Sequence, residues 1–265
     1  MNEELREKLV EDLEKSGFGS EMRAIKIFLD RGWRCSGGYY YFDEDEGKNK
    51  ETDLVARKII YEELDNGMDI DIGYHVVAEV KKSEKPWVVF KKGFIYESLE
   101  STDAWNNLIY NFNLPCEPHQ LKDALSENSL LKVLKWKGYS IHESFKKPDA
   151  PSRWYSAFVS ICKAAENELA NNSSNSESGD WYELFLVKPL VILDGILVSA
   201  SLTDDGNMLL EDTKFAPFEF FHKSKNSTKD TYRVDVVRLD YLDEYIELSE
   251  ARLKSIHDRL RSFVE

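Results

Sequence analysis

The chain has 265 residues, 42% hydrophobic and 12% aromatic, which supplies a full hydrophobic core and excludes an intrinsically disordered chain despite 32% charged residues. A formal charge of −14 opposes unspecific attraction to a polyanion, so any nucleic-acid partner has to be met by a locally basic surface. No run supplies the roughly 20 apolar residues of a membrane helix, the first residues are acidic without the apolar stretch of a secretory signal, and Cys35, Cys116 and Cys162 are odd in number and widely spaced as reduced thiols are; the expectation is a cytoplasmic protein with no membrane partner.

In chain order, Leu5, Leu9 and Leu13 predict an amphipathic helix over 2–15 that Gly17 closes. A second helix runs from about Ser20 to Asp30, with Ile25, Phe28 and Leu29 on one face and Gly32 ending it. Tyr39 to Phe42, Thr52 to Tyr61 and Gly73 to Lys82 have the β-branched and aromatic content of strands, with Asp65-Asn66-Gly67 as a turn, and Trp87 to Phe94 reads as a further extended piece. Residues from about 95 to 150 read as an insertion holding one helix near Gln120 to Leu134.

Trp154, Phe158, Ile161, Ala165 and Leu169 mark a helix over Arg153 to Ala170, followed by a polar run to Asp180 that reads as a flexible surface loop. Tyr182 to Lys188 and Leu190 to Leu193 read as strands, joined through a bend at Pro189; Asp194-Gly195 is a hairpin-turn signal, and Ile196 to Leu202 and Tyr232 to Leu239 are further strands. A last helix covers Tyr241 to Val264, with Leu242, Ile246, Leu253, Ile256 and Leu260 at helical spacing. The fold class expected is α/β, a single domain over residues 1–265 built on a central mixed β-sheet flanked by helices.

Three acidic positions stand where a carboxylate needs compensation. Glu21 falls on the apolar face of its helix, with Ile25 and Phe28; Asp53 opens the apolar strand Leu54-Val55-Ala56; and Glu79 in Val76-Val77-Ala78-Glu79-Val80-Lys81 shares a strand face with Lys81, two residues on. For Lys81 the plainer alternative is an ion pair with Glu79, and for Glu21 an outward-turned side chain at a helix start. Lys81, Lys82, Lys85, Lys91 and Lys92 outnumber Glu79 and Glu84 locally, and Lys132, Lys135, Lys137, Lys146 and Lys147 face only Glu143, with Trp136 and Tyr139 interleaved as stacking groups; a solvated face is the alternative there. Cys116 and His119 have no second pair at zinc-ligand spacing, His75 reads as a core or supporting histidine, and the chain has no Walker loop, G-x-S-x-G or H-E-x-x-H.

Asp53 with Glu79-Val80-Lys81, preceded by Glu21 on a helix and by Gly32-Trp33, resembles the PD-(D/E)xK, or restriction-endonuclease-like, nuclease superfamily in its Holliday-junction-resolvase and Mrr-like arrangement, with Thr52 in place of the motif's proline. The resemblance covers roughly residues 16 to 92, and more loosely the helix at 153–170 and the strands after it. It implies a restriction-endonuclease-like core and a metal-dependent endonuclease that hydrolyses DNA, in bacterial defence or DNA processing. Catalysis would fall to Asp53, Glu79, Lys81 and Glu21. Asp53, Glu79, the Val80 carbonyl and Glu21 would be the ligands of Mg²⁺, with Mn²⁺ as a substitute, because a hard cation takes oxygen donors and lowers the pKa of a bound water. Lys81 would orient that water, and Lys82 and Lys85 would bind substrate. The partner implied is nucleic acid, DNA before RNA, and a homodimer is compatible with a duplex cutter. The alternative reading is a catalytically silent nuclease-fold protein that binds nucleic acid or a protein; a second is an acidic protein imitating DNA.

Overall fold

Residues 70–80 and 87–90 are rich in β-branched and aromatic side chains, and in the computed structural model residues 69–93 form one 25-residue strand. The structure describes residues 1–65, 67–93, 109–114, 120–121, 136–147, 150–172, 181–225, 227 and 229–264. The helices are α1 (Glu3–Ser16), α2 (Phe18–Asp30), α3 (Arg153–Asn171) and α4 (Leu242–Val264). The strands are β1 (Arg34–Asp43), β2 (Lys48–Glu63), β3 (Asp69–Gly93), β4 (Ile109–Asn113), β5 (Trp136–Glu143), β6 (Trp181–Leu202), β7 (Met208–Asp212), β8 (Phe215–Phe221) and β9 (Thr231–Arg238). Neither α3 nor any other described helix is long and apolar enough to cross a membrane.

The strands join in one mixed sheet of order β1-β2-β3-β5-β8-β9-β6-β4, with β7 on β6. Its spine is the parallel pair β3 and β6, in register from Asp69↔Trp181 to Ser83↔Gly195 and again from Trp87↔Leu197 after a shift. Residues 72–80 of β3 and 184–193 of β6 are buried throughout, which is why those stretches read as mostly apolar runs. Because β3 pairs with β5 beyond the shift, the pairings β3–β5, β5–β8, β8–β9, β9–β6 and β6–β3 close a circuit. Two cores follow from the period of two. Val76, Ala78 and Val80 pack with Phe28 of α2 and Ile246 of α4, whereas Val77 packs on the opposite face with Phe158 and Ile161 of α3. Glu79 belongs by this alternation to the α3 face.

The α/β class and the flanked mixed sheet agree with the sequence, and several local expectations are corrected. Asp194-Gly195 is not a hairpin turn but part of β6: a Cβ at residue 195 would stand 2.4 Å from the Ser83 carbonyl oxygen, so glycine serves the close approach of two strands. Asp194 accepts from Ser20 Oγ at 2.5 Å and from Arg23 at 3.1 Å, tying α2 to β6. Pro189, with no N–H to give, falls where β6 exchanges its neighbour β4, ending at Val187, for β9, starting at Leu190. The stretch read as an insertion contributes β4 and β5 to the main sheet; of the helix expected near Gln120 to Leu134 only residues 120 and 121 are described, both helical, and Cys116, His119 and residues 173–180 lie outside the described residues. The helix at the start is present, but Leu5, Leu9 and Leu13 are 49%, 44% and 47% exposed, so its apolar stripe is not buried.

α3 is fastened across the sheet by Glu168, which is fully buried and accepts from Arg57 Nε at 2.9 Å and His75 Nδ1 at 2.7 Å. His75, packed edge-on against Phe185, is the supporting histidine its position implied. Burial would push the Glu168 carboxyl up, but the His75 and Arg57 hydrogen bonds outweigh it and hold it down at about 2.

Two stability outcomes follow. A carboxylate held below its unfolded pKa stabilises the fold above that value and loses its effect as pH falls toward the folded one. Urea denaturation should therefore show a steep loss for the wild type between about pH 4.5 and 2, and Glu168→Gln should be less stable at neutral pH by roughly 2–3 kcal/mol with a shallower acid limb. At the β5–β8 seam, a Cβ on Gly138 would stand 2.4 Å from the buried Phe218 ring and 2.7 Å from Val89. Gly138→Ala is expected to cost roughly 1–3 kcal/mol by overpacking, readable as a lower urea midpoint.

Candidate functional site

The β2–β3 ladder stops at Leu54↔Ala78, and β1 and β2 miss one pairing where Gly38, at φ 60°, faces Asp53. Beyond that point the side chains of β2 replace its main chain. Thr52 Oγ1 donates to the Ala78 carbonyl at 3.2 Å, and the Val80 N–H donates to Asp53 Oδ2 at 2.6 Å. A carboxylate is thereby fixed at a split in the sheet by a group that would otherwise be an unpaired buried donor.

Lys81 brings the next two residues together: its Nζ lies 3.4 Å from Asp53 Oδ2 and is hydrogen-bonded to Glu79. Glu79 is 6% exposed, and its other oxygen accepts from Ser160 Oγ of α3 at 2.9 Å. Burial pushes the Glu79 carboxyl up and the charge of Asp53 adds to this, while Lys81 and Ser160 oppose it. Burial likewise works against the Lys81 ammonium, yet Glu79 and Asp53 more than compensate and raise its pKa. Glu21 comes from α2, on the opposite layer, and lines the same cleft as Asp53, Val80 and Lys81; burial and then the Asp53 charge push its carboxyl up. The structure thus brings together Glu21, Asp53, Glu79, Val80 and Lys81.

The cleft has a volume of about 980 Å³, and its walls carry Lys82, Lys85, Lys15, Lys146, Lys147 and Arg153. Seven basic and six acidic side chains line it, a balance reversed from the 35 and 49 of the whole chain. Lys82 and Lys85 donate to the carbonyls of Glu14 and Phe145, each at 2.6 Å. Arg153 is anchored on buried Glu143 at 3.0 Å and on Ser83 Oγ at 2.9 Å. Both basic stretches are divided: Lys91 of the first and Lys137 of the second pair with Glu211 and Glu219, Lys91 also covers the Trp136 ring at 5.1 Å, neither Trp136 nor Tyr139 lines the cleft, and Lys132 and Lys135 lie outside the described residues.

Among the described residues no set of three or more His, Cys, Asp or Glu side chains is grouped tightly enough to hold an ion by itself. The donor set nevertheless suits a hard cation that keeps much of its coordination for water and substrate: Asp53 and Glu79 flank one ammonium, and the third carboxylate, Glu21, is pushed up by burial first and by the Asp53 charge second. Sequence reasoning missed Ser160, Arg153 and Lys15. Lys146 and Lys147 were legible in their basic stretch, whereas Ser160 lies among apolar helix residues with nothing in the sequence to pair it with Glu79.

Ser160→Ala removes a donor from the ionised form of Glu79, so that carboxyl is expected to titrate at still higher pH, whereas Ser160→Thr should leave it near the wild-type position. Carbon-13 NMR titration of the glutamate carboxyls reads the difference, and an unmoved Glu79 in the alanine variant would show the contact to be without weight. No protein-family model, no curated protein and no solved structure matches the chain.

Proposed function

We propose that the protein is a Mg²⁺-dependent endonuclease with a restriction-endonuclease-like core, hydrolysing DNA phosphodiester bonds in the cleft between α1, residues 80–85 in the middle of β3 and the β5–α3 connection. The observation that carries this reading is the convergence of Asp53, Glu79 and Lys81 on one point, at the floor of a cleft whose walls are richer in cations than the rest of the chain. An unrelated surface carboxylate would have no reason to take the place of a main-chain partner of the sheet, as Asp53 does for the Val80 N–H.

When bound, Mg²⁺ or Mn²⁺ supplies Lewis acidity toward a phosphate oxygen and makes a water a stronger nucleophile at neutral pH. The chain does the rest. Val80 N–H holds Asp53 in one orientation through Oδ2, Ser160 does the same for Glu79 through Oε1, and Glu21 adds negative charge from α2. Lys81, kept cationic by the two acids, stabilises the charge that gathers on the phosphorus oxygens as the bond breaks. Lys82 and Lys85 exchange carbonyl partners for backbone phosphates, with Lys146, Lys147 and Arg153 across the cleft.

A second reading is a catalytically silent protein of the same fold that only binds nucleic acid. One observation favours it: Lys81 already satisfies both Glu79 and Asp53, so the acids have a partner without any ion. Incubation of plasmid and single-stranded DNA with Mg²⁺, Mn²⁺ or EDTA separates the two. The wild type is expected to cut with either metal and not with EDTA, and Asp53→Ala and Lys81→Ala to lose roughly 10²–10³-fold in rate. A parallel melt should show Mg²⁺ raising the midpoint of the wild type and leaving that of Asp53→Ala unchanged. Equal cutting by the variants, or binding without cutting by the wild type, overturns the nuclease reading.

A further inference from the structure

Phe145 is the only non-glycine residue with positive φ among the described residues, at 56°, and at 80% exposure it is the most exposed aromatic side chain among them. Both features cost stability. A side chain with a Cβ is disfavoured in the left-handed region, and a phenyl ring in water forgoes burial, so glycine or asparagine would serve a plain turn better. Burial of the ring does not repay it, since the side chain is left 80% exposed.

The turn is nevertheless held by its neighbours while no phosphate competes for Lys85. Ser144 N–H donates to the Pro86 carbonyl at 2.9 Å, Lys85 Nζ to the Phe145 carbonyl at 2.6 Å, and Lys146 Nζ to the Pro151 carbonyl at 3.0 Å. Glu143, buried just before the turn, accepts from the Arg153 N–H at 2.7 Å and closes the loop onto the start of α3. Strain that the surroundings over-determine is a signature of a functional position. The neighbours define which one: Ser144, Lys146 and Lys147 line the cleft and Phe145 itself does not, so a solvated ring on a held backbone stands beside groups that face phosphates in the proposed function.

We infer that Phe145 is a stacking platform for a nucleobase, and that the substrate is single-stranded or locally unpaired nucleic acid. This rests on the cleft being a phosphodiester site and names the part of the substrate held beside it. A ring among lysines gains from an aromatic base what it cannot gain from a phosphate, and every base offers a π-face, so the platform confers a preference for unpaired strands with little preference for sequence. A base inside a fully paired duplex has both faces covered by its neighbours and cannot use it.

The test is fluorescence anisotropy in EDTA, so that binding is read without metal-dependent cleavage. The probes are a short labelled DNA single strand, the same strand without bases, and the fully paired duplex. The wild type is expected to prefer the ordinary strand to the other two. Phe145→Ala should weaken binding of that strand about 5- to 100-fold and leave the abasic strand unchanged, with Phe145→Trp restoring it. Phe145→Gly, which relieves the backbone, should bind as poorly as the alanine variant while melting no lower than the wild type. Equal binding by Phe145→Ala and wild type, or an equal loss on the abasic strand, overturns the inference. A base-dependent loss in a protein that cuts nothing with Mg²⁺ would leave Phe145 its role and remove the nuclease reading; Mg²⁺-dependent cutting with normal binding by Phe145→Ala would do the reverse.

Discussion

Where β2 leaves β3, the main chain of β3 loses its ladder partners beyond the pair Leu54↔Ala78, and the side chains of Thr52 and Asp53 take over the Ala78 carbonyl and the Val80 N–H. A strand interior cannot keep orphaned amides, so the split survives only because these two residues satisfy them. The same substitution opens the sheet at one point and fixes a carboxylate there. Gly38 makes the split tolerable from the other side, since its left-handed backbone lets β1 stay in register on both flanks of the missing pair. The cleft, the Lys81 ion pairs and the nearness of Glu21 all follow from this opening.

Charge is then organised around a single ammonium. Glu79 is nearly dry, Asp53 partly so, and Lys81 lies between them, which makes each of the three costly to remove alone. Outside this centre the cleft walls reverse the sign of the chain. A protein with a formal charge of −14 thus collects Lys82, Lys85, Lys146, Lys147 and Arg153 around one cavity, where a polyanion meets more basic than acidic side chains.

α3 acts as the brace of this arrangement. Its buried face packs on Val77 and Val191, Glu168 pins it to β2 and β3 through Arg57 and His75, and Ser160, two turns earlier, meets Glu79. The helix therefore links the stability of the sheet to the orientation of an acid in the cleft. Its N-terminal end receives the loop that carries Phe145, so both ends of the cleft depend on where α3 sits.

By itself the sequence determined the elements whose pattern is local: α2, α3 and α4 from their apolar spacing, the cores of β2, β3, β6 and β9 from β-branched runs, and the sharing of one face by Glu79 and Lys81 from the period of a strand. It also marked Asp53 and Glu21 as acids in apolar surroundings. It did not yield β4, β5, β7 and β8, or the continuity of β6 through Asp194-Gly195, because an Asp-Gly pair reads as a turn until a neighbouring strand shows that a missing Cβ is what the packing requires. Only the tertiary structure decided that Ser160 and Glu79, 81 residues apart, share a hydrogen bond, that Lys146 and Lys147 face the cleft while Lys91 and Lys137 are paired elsewhere, and that Phe145 is held exposed. Those facts concern which distant side chains meet, and that is settled by strand order and helix docking, which no local spacing encodes.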